Sequence, residues 1–172
     1  MMFGWFKKKM APEGPVDFAL DMEIARPAAD IYRLLDWSDD MNAKRAEGQQ
    51  VLAGAGIGQW RLIMQGMEDV TFHLNVTQEE RDRLYGYTCQ ADPMIGRLVS
   101  SHEVFRIEPL PDGTSKVYLH VTAQFIDGMT EKEFARETAL MSLGCHSSLA
   151  RLKIHAEHGP DAARDAQIVA MD

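Results

Sequence analysis

MTEKEFARETALMSLGCHSSLARLKIHAE, residues 129–157, decides the fold, because it reads as one helix of nearly thirty residues. Thr130 followed by Glu133 is a capping box, in which the Thr oxygen and the Glu carboxylate each satisfy a backbone N–H left open at the helix start. Apolar or small residues recur at Phe134, Thr138, Met141, Cys145, Ser148 and Leu152. These steps of three and four stay on one face of a 3.6-residue helix. Lys132, Glu137, Ser147, Arg151 and Lys153 occupy the other side. Gly159-Pro160 ends the helix, since Gly supplies a left-handed stop and Pro cannot continue the ladder. Such a helix is about 40 Å long at 1.5 Å per residue and needs a long surface to rest on.

The rest of the chain supplies that surface. Phe18, Leu20, Met22 and Ile24 alternate with Ala19, Asp21, Glu23 and Ala25, the pattern of a strand with one buried face. Pro27 suits a first helical position, and Ile31, Tyr32, Leu34 and Leu35 give a short helix an apolar side that ends near Trp37-Ser38-Asp39-Asp40. A second short helix is expected around Met41 to Ala46. Six strands follow, over 49–53, 58–65, 69–77, 83–90, 99–109 and 115–126, clearest in Phe72-Leu74-Val76, Phe105-Ile107 and the series Val117 to Phe125. Turns are expected at Gly54-Ala55-Gly56, Gln65-Gly66, Gln78-Glu79-Glu80 and Pro111-Asp112-Gly113. The class is α+β, with a curved antiparallel seven-stranded sheet wrapped around the last helix and two short helices after the first strand.

With 172 residues, 45% hydrophobic and 26% charged, the chain suits a single globular domain. We divide it into a flexible N-terminal segment (1–16), the domain (17–158) and a C-terminal tail (159–172). A net charge of −8 without a basic stripe opposes phosphate backbones, so nucleic acid is not an expected partner. No apolar run approaches the roughly 20 residues of a membrane span, and the N-terminus lacks the apolar core of a secretory signal. Cys89 and Cys145 have neither C-x-x-C nor zinc-ligand spacing, so a reducing cytoplasm is expected. Residues 3–9 combine Phe3, Trp5 and Phe6 with Lys7, Lys8 and Lys9, which suits weak contact with an anionic membrane surface or, equally, a frayed terminus. No feature sets an oligomeric state.

Four passages carry a resemblance: Ile24-Ala25-Arg26-Pro27-Ala28-Ala29-Asp30-Ile31-Tyr32; Gly54-Ala55-Gly56-Ile57-Gly58; Phe105-Arg106-Ile107-Glu108-Pro109 with Asp112-Gly113-Thr114; and Leu152-Lys153-Ile154-His155-Ala156-Glu157. In this order the chain, over roughly residues 17–158, resembles the START-like helix-grip, SRPBCC or polyketide cyclase/dehydrase-like superfamily. The resemblance implies a cavity between sheet and long helix for a lipid, sterol, polyketide or aromatic ligand. It implies no single reaction, since such folds include enzymes, carriers and chaperone-binding modules.

Glu103 is the main candidate for chemistry. The strand parity that carries Phe105 and Ile107 also carries Val99, Ser101 and Glu103, so if those apolar residues face the cavity the carboxylate does too. It then serves as general acid or base, or anchors a ligand; if the strand bends or bulges, it reaches solvent or an Arg instead. The expected ligand-binding set is Trp60, Phe72, Tyr85, Tyr87, Glu103, Phe105, Leu119, Val121, Met141 and Cys145, and Ala91 to Arg97 form a candidate lid. Glycines 54, 56 and 58 lack a nucleotide signature, because no Gly-Lys-Ser/Thr follows and the next residues read as strand. No cofactor is expected. His73, His102 and His120 have the solvent parity, and His155 and His158 read as a solvated helix end, so no metal site is expected. Two functions compete with ligand binding: a cyclase/dehydratase-like or hydrolytic enzyme using Glu103 with a Tyr or His, and a chaperone-activator or quinone-carrier-like interaction module.

Overall fold

The computed structural model describes residues 7–166. Strand β1 (Val16–Ile24) is followed by helices α1 (Ala28–Leu35) and α2 (Ala43–Ala46). Then come β2 (Gln50–Ala53), β3 (Gln59–Ile63), β4 (Thr71–Glu80), β5 (Leu84–Asp92), β6 (Leu98–Pro109) and β7 (Ser115–Phe125). The long helix α3 (Glu131–His158) and a short α4 (Pro160–Asp165) close the described chain. The seven strands form one antiparallel sheet in the order β1-β7-β6-β5-β4-β3-β2. β1 and β2 therefore sit at opposite edges, and α1 and α2 carry the chain between them.

Burial in β7 alternates strictly: Val117, Leu119, Val121, Ala123 and Phe125 are buried, while the intervening residues keep contact with water. This period of two places one face against α3. The expected β4 ends too early. A bulge between Val76 and Gln78 shifts its register, so Gln78, Glu79 and Glu80 go on pairing with Gly86, Tyr85 and Leu84. The turn expected at Gln78-Glu79-Glu80 falls instead at Arg81–Arg83, where Asp82 adopts a positive φ that its short polar side chain tolerates.

Helix α3 starts as its sequence dictates: the Thr130 hydroxyl accepts from the Glu133 N–H, and the Glu133 carboxylate accepts from the Thr130 N–H. Its buried face is Cys145, Leu149, Leu152 and His155. Ser148, expected on that face, is exposed, and the fully buried Leu149 takes its place one step round the helix. The far end is tied to the β1–α1 junction, where the Ala25 N–H donates to Glu157, the Arg26 side chain to the Ala156 carbonyl, and Lys153 to the Glu23 carbonyl. At the near end, Arg97 at the start of β6 pairs with Glu133 and Glu137, each at 3.2 Å. With both ends of α3 fixed to the sheet, the space between them is held open.

The flanking segments also meet the domain. Lys9 offers its carbonyl to the Glu131 N–H, and the Ala11 N–H donates to Met129. Ala163 of α4 is fully buried, and its carbonyl accepts from Arg151.

Candidate functional site

Beneath the N-terminal half of α3 lies a cavity of about 510 Å³. Its walls are Phe72 of β4, Cys89 and Ala91 of β5, Leu98 and Val99 of β6, and Phe125 of β7, roofed by Leu140 and Met141 of α3. Ile95, Gly96 and Arg97 from the β5–β6 connection border it, which is where the lid was expected, and Met94 and Ile95 hold their side chains out at its rim, half exposed. Arg136 and Glu137 are the charged members of the α3 side. A space of this size and lining suits a small, largely apolar molecule with a few polar contacts.

A second, smaller space of about 60 Å³ lies toward the other end of α3. It is enclosed by Leu34 and Leu35 of α1, Trp37 just after it, Asn42 to Lys44 and Glu47 around α2, Tyr87 and Phe105 of the sheet, and Ser148, Arg151 and Leu152 of α3. Asn42 builds this corner. Fully buried, it donates to the Leu34, Leu35 and Asp36 carbonyls while its oxygen accepts the N–H groups of Lys44 and Arg45, closing α1 and opening α2 with one side chain.

Glu103 stands between the two spaces. Its strand neighbour Tyr87 borders the small one and Cys89, two residues on, borders the large one. The Tyr87 hydroxyl donates to the Glu103 carboxylate at 2.8 Å, and Ser101 donates at 3.3 Å. Burial pushes the Glu103 carboxyl above its ordinary value; the Tyr87 and Ser101 hydrogen bonds and the charge of Lys44 pull it back without cancelling that rise. Part of the residue's surface stays accessible, although Glu103 is not among the residues lining either space. Burial likewise raises the Tyr87 hydroxyl, with the adjacent Glu103 adding to the effect. Both groups therefore hold their protons more tightly than free side chains do.

Both cysteines are poor nucleophiles. Burial, aided by Glu103, pushes the Cys89 thiol up to about 12 and the Cys145 thiol up to about 11. Reactive cysteines need the opposite shift.

The expected ligand-binding residues divide. Phe72 and Met141 line the larger cavity, and Tyr87 and Phe105 the smaller. Tyr85, Leu119 and Val121 point to the same side of the sheet, but at 0–1% exposure they pack as core and present no free surface; the Tyr85 hydroxyl accepts from the Trp37 backbone N–H. Cys145 is buried on α3. Trp60 lies apart from both spaces, on β3 between β2 and β4, beneath the Arg45 guanidinium at 5.4 Å. His73, His102 and His120 sit on the outer face, each beside a different partner: Asp92, Thr77 and Asp17. Among the described residues no three His, Cys, Asp or Glu side chains gather as a metal site.

The expectation for His155 fails. Instead of a solvated helix end, it is buried, and its Nδ1 lies 3.0 Å from the Glu47 carboxylate, which is equally buried. Leu152 lies three residues earlier on the inner face, so helical spacing alone points His155 inward. The Glu47–His155 contact joins residues 108 apart in sequence, and it carries the α2 corner against α3. Of the segment proposed to touch a membrane, residues 3–6 lie outside the described residues; Lys7, Lys8 and Lys9 are exposed, and Lys9 faces Glu131 at 3.7 Å. No helix among the described residues is long and apolar enough to cross a membrane.

The sheet order, the two helices between opposite edges and the long closing helix define a helix-grip α+β architecture. No family model and no curated protein matches the sequence. Among solved structures it is similar to Ara h 8.0201, with a TM-score of 0.60 and 16% identity over 79% of this chain and 95% of that one. It is also similar to a protein from Arthrobacter aurescens, with a TM-score of 0.62 and 12% identity over 90% of this chain and 93% of that one. DynU16, from the dynemicin biosynthetic locus, gives a TM-score of 0.62 and 12% identity over 85% of this chain, which spans 49% of DynU16. At such identities the likeness is one of fold. That fold, a seven-stranded antiparallel sheet closed by a long C-terminal helix, is the helix-grip fold that the sequence resemblance implied.

Proposed function

We propose that this domain binds a small apolar or amphipathic molecule, of lipid, polyketide or aromatic type, in the space between its sheet and α3. The observation that carries this reading is the cavity of about 510 Å³ walled by Phe72, Cys89, Phe125 and Met141. Filling it with side chains would add core, since an unfilled apolar space costs stability. Arg97 is held by Glu133 and Glu137, so ion pairs join the apolar contacts of Phe134 and Met141 in setting the sheet-to-helix distance at this point. The similarity to DynU16, a protein of a biosynthetic locus, agrees with a ligand of this kind.

Native mass spectrometry of the purified full chain, with and without 1-anilinonaphthalene-8-sulfonate, tests the reading. A bound small molecule, or one probe molecule taken up per chain, is the expected result. A bare protein mass in both conditions would remove the cavity's claim to a ligand.

A second reading rests on the Tyr87–Glu103 pair. A carboxyl group that burial makes hold its proton more tightly than free glutamate, beside a tyrosine hydroxyl, suits acid catalysis on a ligand carbonyl or hydroxyl, as in dehydration or cyclisation. Under this reading Glu103→Gln keeps ligand uptake and loses turnover; under simple binding neither the parent nor the variant turns the ligand over.

A further inference from the structure

The smaller space is rich in donors that the protein leaves unused. Trp37, which borders it, is 5% exposed, and its indole N–H has no hydrogen-bond partner among the described residues. A donor closed off from bulk water is normally satisfied, so an unfilled one marks a place where something else accepts. Lys44 borders the same space; Glu47 lies 3.8 Å from it, and Glu103 is the other acid near enough to act on its charge. Glu47 already has its other oxygen on His155 at 3.0 Å. Arg151 uses one N–H on the Ala163 carbonyl and keeps others, and Ser148 adds a hydroxyl at the open side. Among the residues that line the space, two cations and an indole donor thus meet one carboxylate, which is shared with a histidine. The space has room for roughly four waters, enough for a carboxylate and too little for a ring.

We infer that the pocket of Trp37, Lys44 and Arg151 is the carboxylate subsite of the ligand cavity, so that the ligand is an apolar acid whose body lies under Met141 and whose carboxylate sits near α2. This rests on the proposed ligand-binding reading and adds the ligand's chemical class. The spacing fits: Met141 and Ser148 are seven residues apart on α3, about 10 Å along its axis, and Glu103 lies between. Glu103 does not oppose an incoming anion when it keeps its proton, which its burial favours. Lys44, whose own burial lowers its affinity for a proton, gains from an added anion.

Three probes separate the subsite from the cavity. Butyrate needs only the small pocket, 1-decanol offers an apolar body without a carboxylate, and decanoate has both. In ¹⁵N spectra of the full chain the Trp37 indole N–H resonance shifts with butyrate and with decanoate. Decanoate binds about tenfold more tightly than 1-decanol, the scale of one charge-assisted contact. Lys44→Met and Trp37→Phe each weaken decanoate about fivefold and leave 1-decanol unchanged, while thermal unfolding confirms that each variant folds. Equal affinity for decanoate and 1-decanol, or an unmoved Trp37 resonance with both acids, overturns the subsite and leaves the ligand reading standing. A Trp37 shift with butyrate, when neither ten-carbon probe binds, overturns the ligand reading and the link between the spaces. No response to any probe removes both.

Discussion

Tyr87 and Glu103 are register partners on β5 and β6, and the hydroxyl of one donates to the carboxylate of the other at 2.8 Å inside the sheet's concave face. Burial makes the folded chain hold the Glu103 proton more tightly than the unfolded chain does. Stability from this group is therefore full below its ordinary value of 4.5 and is lost as pH rises through the raised folded value. Glu103→Gln keeps the shape and removes that loss. Denaturant unfolding at pH 4.5 and pH 8 should show a smaller drop in the variant, with stability at pH 8 equal to or above the parent's. A carbon-13 titration of the side chain should give a midpoint above that of free glutamate; a midpoint below it would mean that Tyr87, Ser101 and Lys44 outweigh burial.

Glu47 behaves oppositely. Burial alone would raise its carboxyl, but the His155 hydrogen bond and the charges of Lys44, His155 and Arg151 bring it below the ordinary value. Its contribution is present above 4.5 and lost as pH falls through the depressed folded value. His155→Ala leaves a buried carboxylate whose remaining cations are Lys44, at 3.8 Å, and Arg151. The expected cost is about 3 kcal/mol, the lower end for breaking a buried pair, read from denaturant midpoints at pH 7. A loss below about 1 kcal/mol would show that Lys44 and Arg151 satisfy Glu47 without the histidine.

Asn42 serves two helices at once, and Asn42→Ala should cost about 2–3 kcal/mol, combining a lost cap with unpaired carbonyls. Asn42→Asp distinguishes the roles. It keeps the acceptor for the Lys44 and Arg45 N–H groups but cannot donate to the carbonyls that end α1, so a stability as low as that of Asn42→Ala would assign the cost to the donors.

Met141→Trp should block the larger cavity. Since Met141 is half-buried at a wall with open space beside it, the ring enters that space with little strain. Probe fluorescence in an anilinonaphthalene-sulfonate titration should fall at least several-fold, with the melting temperature nearly unchanged. Overpacking would instead appear as about 1–3 kcal/mol of lost stability.

Removing residues 2–11 should have a small effect on folding. Two backbone hydrogen bonds to the start of α3 are lost, from Ala11 to Met129 and from Glu131 to Lys9, worth about 1–3 kcal/mol together. A larger loss by thermal unfolding would show that this segment packs as part of the core.

The chain's local chemistry determined its elements and their faces. The Thr130–Glu133 capping box and Gly159-Pro160 bound α3, and the period-two series from Val117 to Phe125 oriented β7, because caps and alternation act between residues only a few positions apart. The inward parity of Glu103 was legible for the same reason. Tertiary structure alone decided which residues meet. Nothing in the four residues of α2 says that Lys44 and Glu47 close a pocket, since a helix that short has no periodicity to read. Nor does spacing say that Glu47 finds His155 across 108 residues, or that Tyr85 is core while Tyr87, on the same strand, borders open space. Periodicity fixes the direction of a side chain relative to its own element; whether that direction ends in packing, a partner or an opening depends on how far the opposing element stands away, and here that distance is set by the fastened ends of α3.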